Sequence, residues 1–313
     1  MTRITRILPA FYLSICLLSC KHSQVVEHVQ EFNHYPSASA VAYYNRHLYM
    51  MGDDAPYCLV LDTSLVQKDS IPFFQTHLKK LPKDSKPDLE SATVVQYQDE
   101  DQLLLLGSGS KSPQRDLAIL YSAKKKKADS IRLDTFFTRL RALGIGEINI
   151  EGCTKIHGRI LMSNRGSLGN PRNDLIITNA AFWDNQTETG LTTIRFGVQP
   201  DSTSFSGVSG LEYSSLSDRL IATVSTEATT NAMDDGAIGK SYLWIVKNFS
   251  SKTKWKAINP DEIIDLEAED PRFKGHKIES VCLLAESRTM LHLLLVADDD
   301  NGSSTVFTLA LEK

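Results

Sequence analysis

Short apolar runs recur along this chain, and they come in threes. One set opens at Ser39 (SAVAYYNRHLYMMGDDAPYCLVLD) and the next at Glu90 (ESATVVQYQDEDQLLLLGSGSKSPQRDLAILYS). Others open at Glu151 (EGCTKIHGRILMSNRGSLGNPRNDLIIT), Ser209 (SGLEYSSLSDRLIATVSTEATT, continuing to KSYLWIVK) and Glu279 (ESVCLLAESRTMLHLLLVADDDNGSSTVFTLAL). Each opens with Ser or Glu and a short apolar run. A polar turn follows (YNRH, YQDEDQ, IHGR, SLSDR, AESRT), then a richer apolar run, a loop of Gly, Ser and charge, and a third run. Runs this short, bounded by turn residues, predict strands.

The opening residues lie 51, 61, 58 and 70 positions apart. Several strands per unit at such an interval predict an all-β fold, a single β-propeller of five blades, with six as the alternative. The last unit has no room for a fourth strand. QVVEHVQEF at 24–32 is expected to supply it and close the ring, leaving no free edge. Two helices are expected as insertions. One is 135–143, capped by Asp134, with Phe136, Phe137, Leu140 and Leu143 on one face and Gly144 as its stop. The other is 259–270, with Pro260 at its start.

The first residues stand outside this pattern. MTRITRILPAFYLSICLLSC has a basic start, an apolar middle and Leu17-Leu18-Ser19-Cys20 at its end. It reads as a signal peptide over 1–19 with a bacterial lipobox, so Cys20 is expected to carry lipid. Residues 20–28 form a tether and 29–313 the propeller. Acyl chains would anchor the chain without a membrane helix, and no stretch of 18 uninterrupted apolar residues follows. The expected location is the cell envelope, at the outer membrane or periplasmic side, as a monomer.

Loss of residues 1–19 moves the formal net charge from −4 to −6, which argues against nucleic acid as a partner. Cys58, Cys153 and Cys282 sit in apolar runs and are expected as small buried residues. No Cys/His cluster has zinc spacing. AKKKKAD at 123–129 reads as a solvated turn, with contact to anionic lipid as the sharper reading. His157 and His276 fall in or near turns, and His292 alternates in an apolar strand as a paired core residue.

The first strand of a propeller blade lines the central channel. Ser39, Glu90, Glu151, Ser209 and Glu279 therefore converge on the axis. Carboxylates about 5 Å apart repel by roughly 3 kcal/mol at an effective dielectric of 20. A cation, protons or neighbouring N–H groups and water must relieve them. An all-oxygen set suits Ca²⁺ rather than Zn²⁺; a metal-free, water-filled channel is the alternative. The order Ser, Glu, Glu, Ser, Glu at the strand starts resembles the calcium-activated nucleotidase (apyrase) family. That resemblance implies a five-bladed propeller whose axial calcium is held by these residues, and it extends to SAVAYYNRHLYMMGDD. There the Asp53–Asp54 pair matches the position of a catalytic aspartate. A weaker likeness is to propellers of the esterase-like phytase type, on the Glu-Ser-Val opening and the Asp-Asp-Asn loop of the last unit.

The second strand of each unit returns to the ring end, so the loops after it surround that mouth. They carry Asp53 and Asp54; Lys111 and Arg115; Asn164 and Arg165; Glu227; and Asp298, Asp299, Asp300 and Asn301. Such a mixture suits a small anionic ligand. The Gly-rich run 107–110 has no Walker pattern, and there is no Gly-x-Ser-x-Gly elbow. Two functions follow. One is a metal-dependent phosphoester hydrolase, with Asp53 or Asp54 as base, Lys111 and Arg165 as anion clamps and calcium as organiser. The other is a non-catalytic module that binds a ligand or protein at the same mouth.

Overall fold

The computed structural model describes residues 24–197, 205–227, 231 and 239–313. Cys20 and the leader lie outside the described residues. After β1 (Gln24–Phe32), blade one is β2 (Ala38–Tyr44), β3 (His47–Gly52), β4 (Tyr57–Asp62) and β5 (Gln67–Pro72). Blade two is β6 (Leu89–Tyr97), β7 (Glu100–Gly107), β8 (Leu117–Ser122) and β9 (Lys127–Arg132), followed by α1 (Asp134–Ala142). Blade three holds β10 (Ile150–Ile156), β11 (Arg159–Asn164), β12 (Asn173–Asn179) and β13 (Leu191–Phe196). Blade four begins with β14 (Phe205–Ser214), β15 (Arg219–Glu227) and β16 (Ser241–Lys247). The chain then adds β17 (Ala257–Ile258) to blade three, parallel to β13, before β18 (Glu262–Asp265) completes blade four. Blade five is β19 (Lys277–Glu286), β20 (Met290–Asp298) and β21 (Ser304–Glu312), with β1 pairing to β21 as its fourth strand. The fold is a five-bladed β-propeller, and the innermost strands β2, β6, β10, β14 and β19 follow one another round a closed ring.

Local chemistry explains the blades. Three inner hairpins turn on two residues with positive φ, namely Asn45-Arg46, Gln98-Asp99 and His157-Gly158. That backbone suits the right-handed twist of the flanking strands. Middle strands such as β7 and β11 are buried along most of their length, whereas β5 (QKDSIP) and β9 (KADSIR) are charged and largely exposed. Charge on the outermost strands discourages edge pairing with other chains. The apolar cores lie between neighbouring blades. Leu104, Leu106, Ile160 and Met162 fill the space between blades two and three, where α1 adds Phe136, Phe137 and Leu140. Cys58, Cys153 and Cys282 are free and buried in these layers.

Three details differ from the sequence reading. Helix α1 begins at Asp134, which pairs with Arg132 instead of capping; the cap position is Leu133 and has no side-chain bond. Residues 259–270 are not one helix. The segment forms β18 and then a single helical turn at Leu266–Glu269, because Ile263 is exposed while Ile264 is buried, a period of two that fits the open edge of β16. His292 is half-buried and paired to Glu27 of β1 at 3.4 Å, so it stitches the ring closure and lies outside the core.

Candidate functional site

The register of each innermost strand with its neighbour slips once in the first half of the strand. The slips fall between Ala38 and Ala40, Leu89 and Ser91, Ile150 and Gly152, Val208 and Gly210, and Ile278 and Ser280. The bypassed residues are Ser39, Glu90, Glu151, Ser209 and Glu279. A bulge leaves one residue outside the ladder and re-aims its side chain, so all five opening residues are singled out by the same backbone device. The next residue is always small, and packing requires it. A Cβ on Gly152 would stand 2.8 Å from the Leu211 nitrogen, and one on Gly210 would stand 2.8 Å from the Ser280 Cα. Adjacent inner strands touch there, backbone to backbone.

The five side chains take different roles. Ser39 donates to the Leu89 carbonyl at 2.7 Å, and Ser209 to the Ile278 carbonyl at 2.6 Å. These hydroxyls tie blade one to blade two and blade four to blade five. Glu151 accepts from Asn149 Nδ2 at 2.6 Å. The Arg165 guanidinium places Nη1 3.7 Å from Glu151 and 3.8 Å from Glu279, and donates through Nη2 to Ser225 at 3.1 Å. It therefore spans from blade three to blade five across blade four. Gly207 leaves room for it, since a Cβ there would lie 2.3 Å from Arg165 Nε. Lys277 pairs with Glu279 at 2.7 Å. Part of the expected repulsion among the glutamates is thus offset by the protein's own cations.

The other half of the mouth is built by blades one and two. Asp53, just past β3, pairs with Lys86, whose ammonium also lies 2.8 Å from Asp88. Asp88 further accepts from Arg115 Nη1 at 2.6 Å and the Ser108 hydroxyl at 2.5 Å. Burial raises the Asp53 carboxyl to about 6, against the lowering effect of Lys86. Burial also pushes Glu90 well above the usual carboxylate range, with the charges of Asp88 and Glu151 adding to it. Asp298, at the end of β20, is raised to about 7 by burial and by Glu279, Asp300 and Asp53, against the Asp300 N–H. Burial alone would lower Lys86, yet Asp53, Asp88 and Glu90 hold it above the ordinary lysine range.

The structure thus gathers Asp53, Glu90, Glu151, Glu279 and Asp298 with Arg115 and Arg165 at one mouth. Other sequence candidates point elsewhere. Asp54 pairs with Lys80 at 3.0 Å, Lys111 with the exposed Asp84 at 2.8 Å, and Asp299 with His276 at 2.6 Å. The Glu227 side chain lies outside the described residues. Arg165, read as an anion clamp, and Arg115, read as a ligand-binding residue, are buried against carboxylates. Sequence reading missed Lys86, Asp88, Asn149 and Lys277. A signal existed for three of them: Asp88, Asn149 and Lys277 each stand two residues before a ring glutamate. Among the described residues, Asp53, Asp88 and Glu90 bring one carboxylate oxygen each within 4.8 Å of one another, an all-oxygen set drawn from blades one and two.

Comparison with known proteins agrees with this architecture. The chain belongs to a family of unknown function, DUF6929, whose model matches residues 34–311. No curated protein matches it. Among solved structures it is similar to a GH43 β-1,3-galactosidase determined with galactodeoxynojirimycin, at 11% identity and a TM-score of 0.50, covering 87% of this chain and 89% of that one. It is also similar to the glutaminyl cyclase of Myxococcus xanthus, at 9% identity and a TM-score of 0.49, covering 93% and 97%. A third is virginiamycin B lyase from Staphylococcus aureus, at 10% identity and a TM-score of 0.41, covering 91% and 99%. At 11% identity the likeness to the GH43 enzyme speaks for the fold alone.

Proposed function

We propose that the ring mouth is a calcium-assisted hydrolytic site for small phosphoesters or related anions, on a propeller lipid-anchored through Cys20 in the cell envelope. One observation carries this reading. Three carboxyl groups with raised pKa values, Asp53, Glu90 and Asp298, share a mouth with Lys86, Arg115, Arg165 and Lys277. Asp53, raised to about 6, and Asp298, raised to about 7, can take and return a proton at working pH. Asp53 is the base this reading favours, because Asp54 is turned to Lys80. While these groups hold protons, the four cations are less fully neutralised and can receive an anion.

The calcium proposal shifts with the geometry. Glu151 and Glu279 already embrace Arg165, and the two serines face neighbouring carbonyls, so the five ring residues do not make one coordination shell as they stand. Asp53, Asp88 and Glu90 do fit a hard divalent cation, being an all-oxygen set at short mutual distance. When bound there, Ca²⁺ would supply charge for a phosphoryl oxygen. Lys86, now paired with two of these residues, would have to move aside, and Asp53 would offer one oxygen to the ion and keep the other as base.

The alternative, a non-catalytic binding module, is favoured by the pairing of Arg115 and Arg165 within the protein. The two readings separate in one screen of the purified chain against nucleotides, phytate and simple phosphate esters, with and without Ca²⁺. Hydrolysis predicts turnover that Asp53→Ala abolishes and Asp54→Ala largely keeps. Absence of turnover above the Asp53→Ala control leaves the binding module.

A further inference from the structure

The channel has a second mouth. At the end away from the bulges, all five inner strands contribute to a cavity of about 430 Å³ bounded by residues that include Tyr43, Thr93, Thr154, Lys155, Glu212 and Leu283. That volume falls in the range of small-molecule sites. Glu212 is its one carboxyl group. Its Oε1 accepts from its neighbour Tyr213 N–H at 2.9 Å and from the Thr154 hydroxyl at 3.3 Å. Among the described residues no Lys, Arg or His forms an ion pair with it, in contrast to Asp53, Glu151 and Glu279 at the other mouth. Burial pushes its carboxyl up to about 7.

Among the described residues, none of the titratable groups around Glu212 pairs with its carboxyl group. Cys153 of β10 and Cys282 of β19 are buried thiols, held neutral by burial. His157 is engaged through Nε2 with the Tyr213 hydroxyl at 3.0 Å, and that hydroxyl donates to Asp218 at 2.8 Å. Lys155 is exposed on the cavity rim. Glu212 is half-buried, it carries no ion pair among the described residues, and the space beside it is open to a ligand. Apolar surface from Ala42, Ala92 and Val94 and the ring of Tyr43 line the same space. Cations are attracted to aromatic faces.

We propose that this far mouth binds a small organic ammonium ion, a primary amine of a few carbons, with its N–H groups toward Glu212 and its chain along Ala42, Ala92, Val94 and Tyr43. The proposal is independent of the reading given to the ring mouth. The probes are ethanolamine and putrescine, with glycerol as the neutral control, titrated into the full chain in detergent at pH 8. Calorimetry should show saturable binding of the amines, weakened at least tenfold in Glu212→Gln and tightened a few-fold in Lys155→Ala, which removes a competing charge. Amine binding unchanged in Glu212→Gln, or glycerol binding as well as the amines, would overturn it. Should Glu212→Gln fail to fold, methyl NMR of the wild-type chain decides. Ala42 and Ala92 signals should shift with ethanolamine and stay still with glycerol; silence with ethanolamine also overturns the proposal.

Discussion

Arg165 sets the energetics of the ring at the scale of single residues. It is 6% exposed in its side chain and lies between two carboxylates from different blades. Removing one partner of a buried charge pair typically costs about 3 to 5 kcal/mol, because the remaining charge is left uncompensated. Arg165→Met should therefore lower stability by about that amount in urea unfolding, and adding Glu279→Gln should restore part of the loss. Asp298 makes a second test. Its pKa of about 7 means that the folded protein keeps a proton which the unfolded chain releases near pH 4. Its contribution to stability is full below about pH 4. It declines as pH rises to about 7 and stays low above that. Asp298→Asn should raise the thermal midpoint at pH 8, at about 2 to 4 °C per kcal/mol, and should raise it less at pH 5.

At the scale of elements, the repeated bulge is the device that builds the site. Gly210→Ala would force a methyl group against the backbone of Ser280 and Glu279, at 2.8 and 3.0 Å. Overpacking of that kind costs about 1 to 3 kcal/mol, and thermal unfolding should show the loss. The five ring positions were legible in the sequence because each joins Ser or Glu to a small residue at the start of an apolar run; the bulge at each is visible only in the strand register. The closing strand β1 was legible because QVVEHVQEF stands ahead of the first unit and the last unit shows three apolar runs. Other elements left no such trace. β17 is two residues long and borrows its partner from another blade, so periodicity has nothing to act on. Lys86 lies in a loop between β5 and β6, and its destination depends on the fold of two blades. Arg165 read as a mouth residue because its loop is at the mouth. Its reach to Glu279 depends on Gly207 of the adjacent blade, a relation across tertiary structure that no local pattern carries.

For the whole molecule, the path of the chain orients the two mouths. Gln24 pairs with Leu311 while Phe32 pairs with Ser304, and β21 runs from the ring end to the far end. The chain therefore enters at the end opposite the bulged ring. Four steps of extended chain from Cys20 to Gln24 reach at most about 14 Å. Lipid on Cys20, as proposed, would hold the far mouth toward the bilayer and leave the ring mouth open on the other side. Cys20→Ser should shift the protein from the membrane to the soluble fraction on centrifugation, with its circular dichroism unchanged.

The arrangement of charge at the ring mouth is what the proposed function depends on, and calcium probes it most directly. An anomalous difference map from a crystal soaked in Ca²⁺ at pH 8 should show a peak among Asp53, Asp88 and Glu90, with the Lys86 ammonium withdrawn from between Asp53 and Asp88. A map without that peak, with Lys86 still bound to both aspartates, would contradict the account.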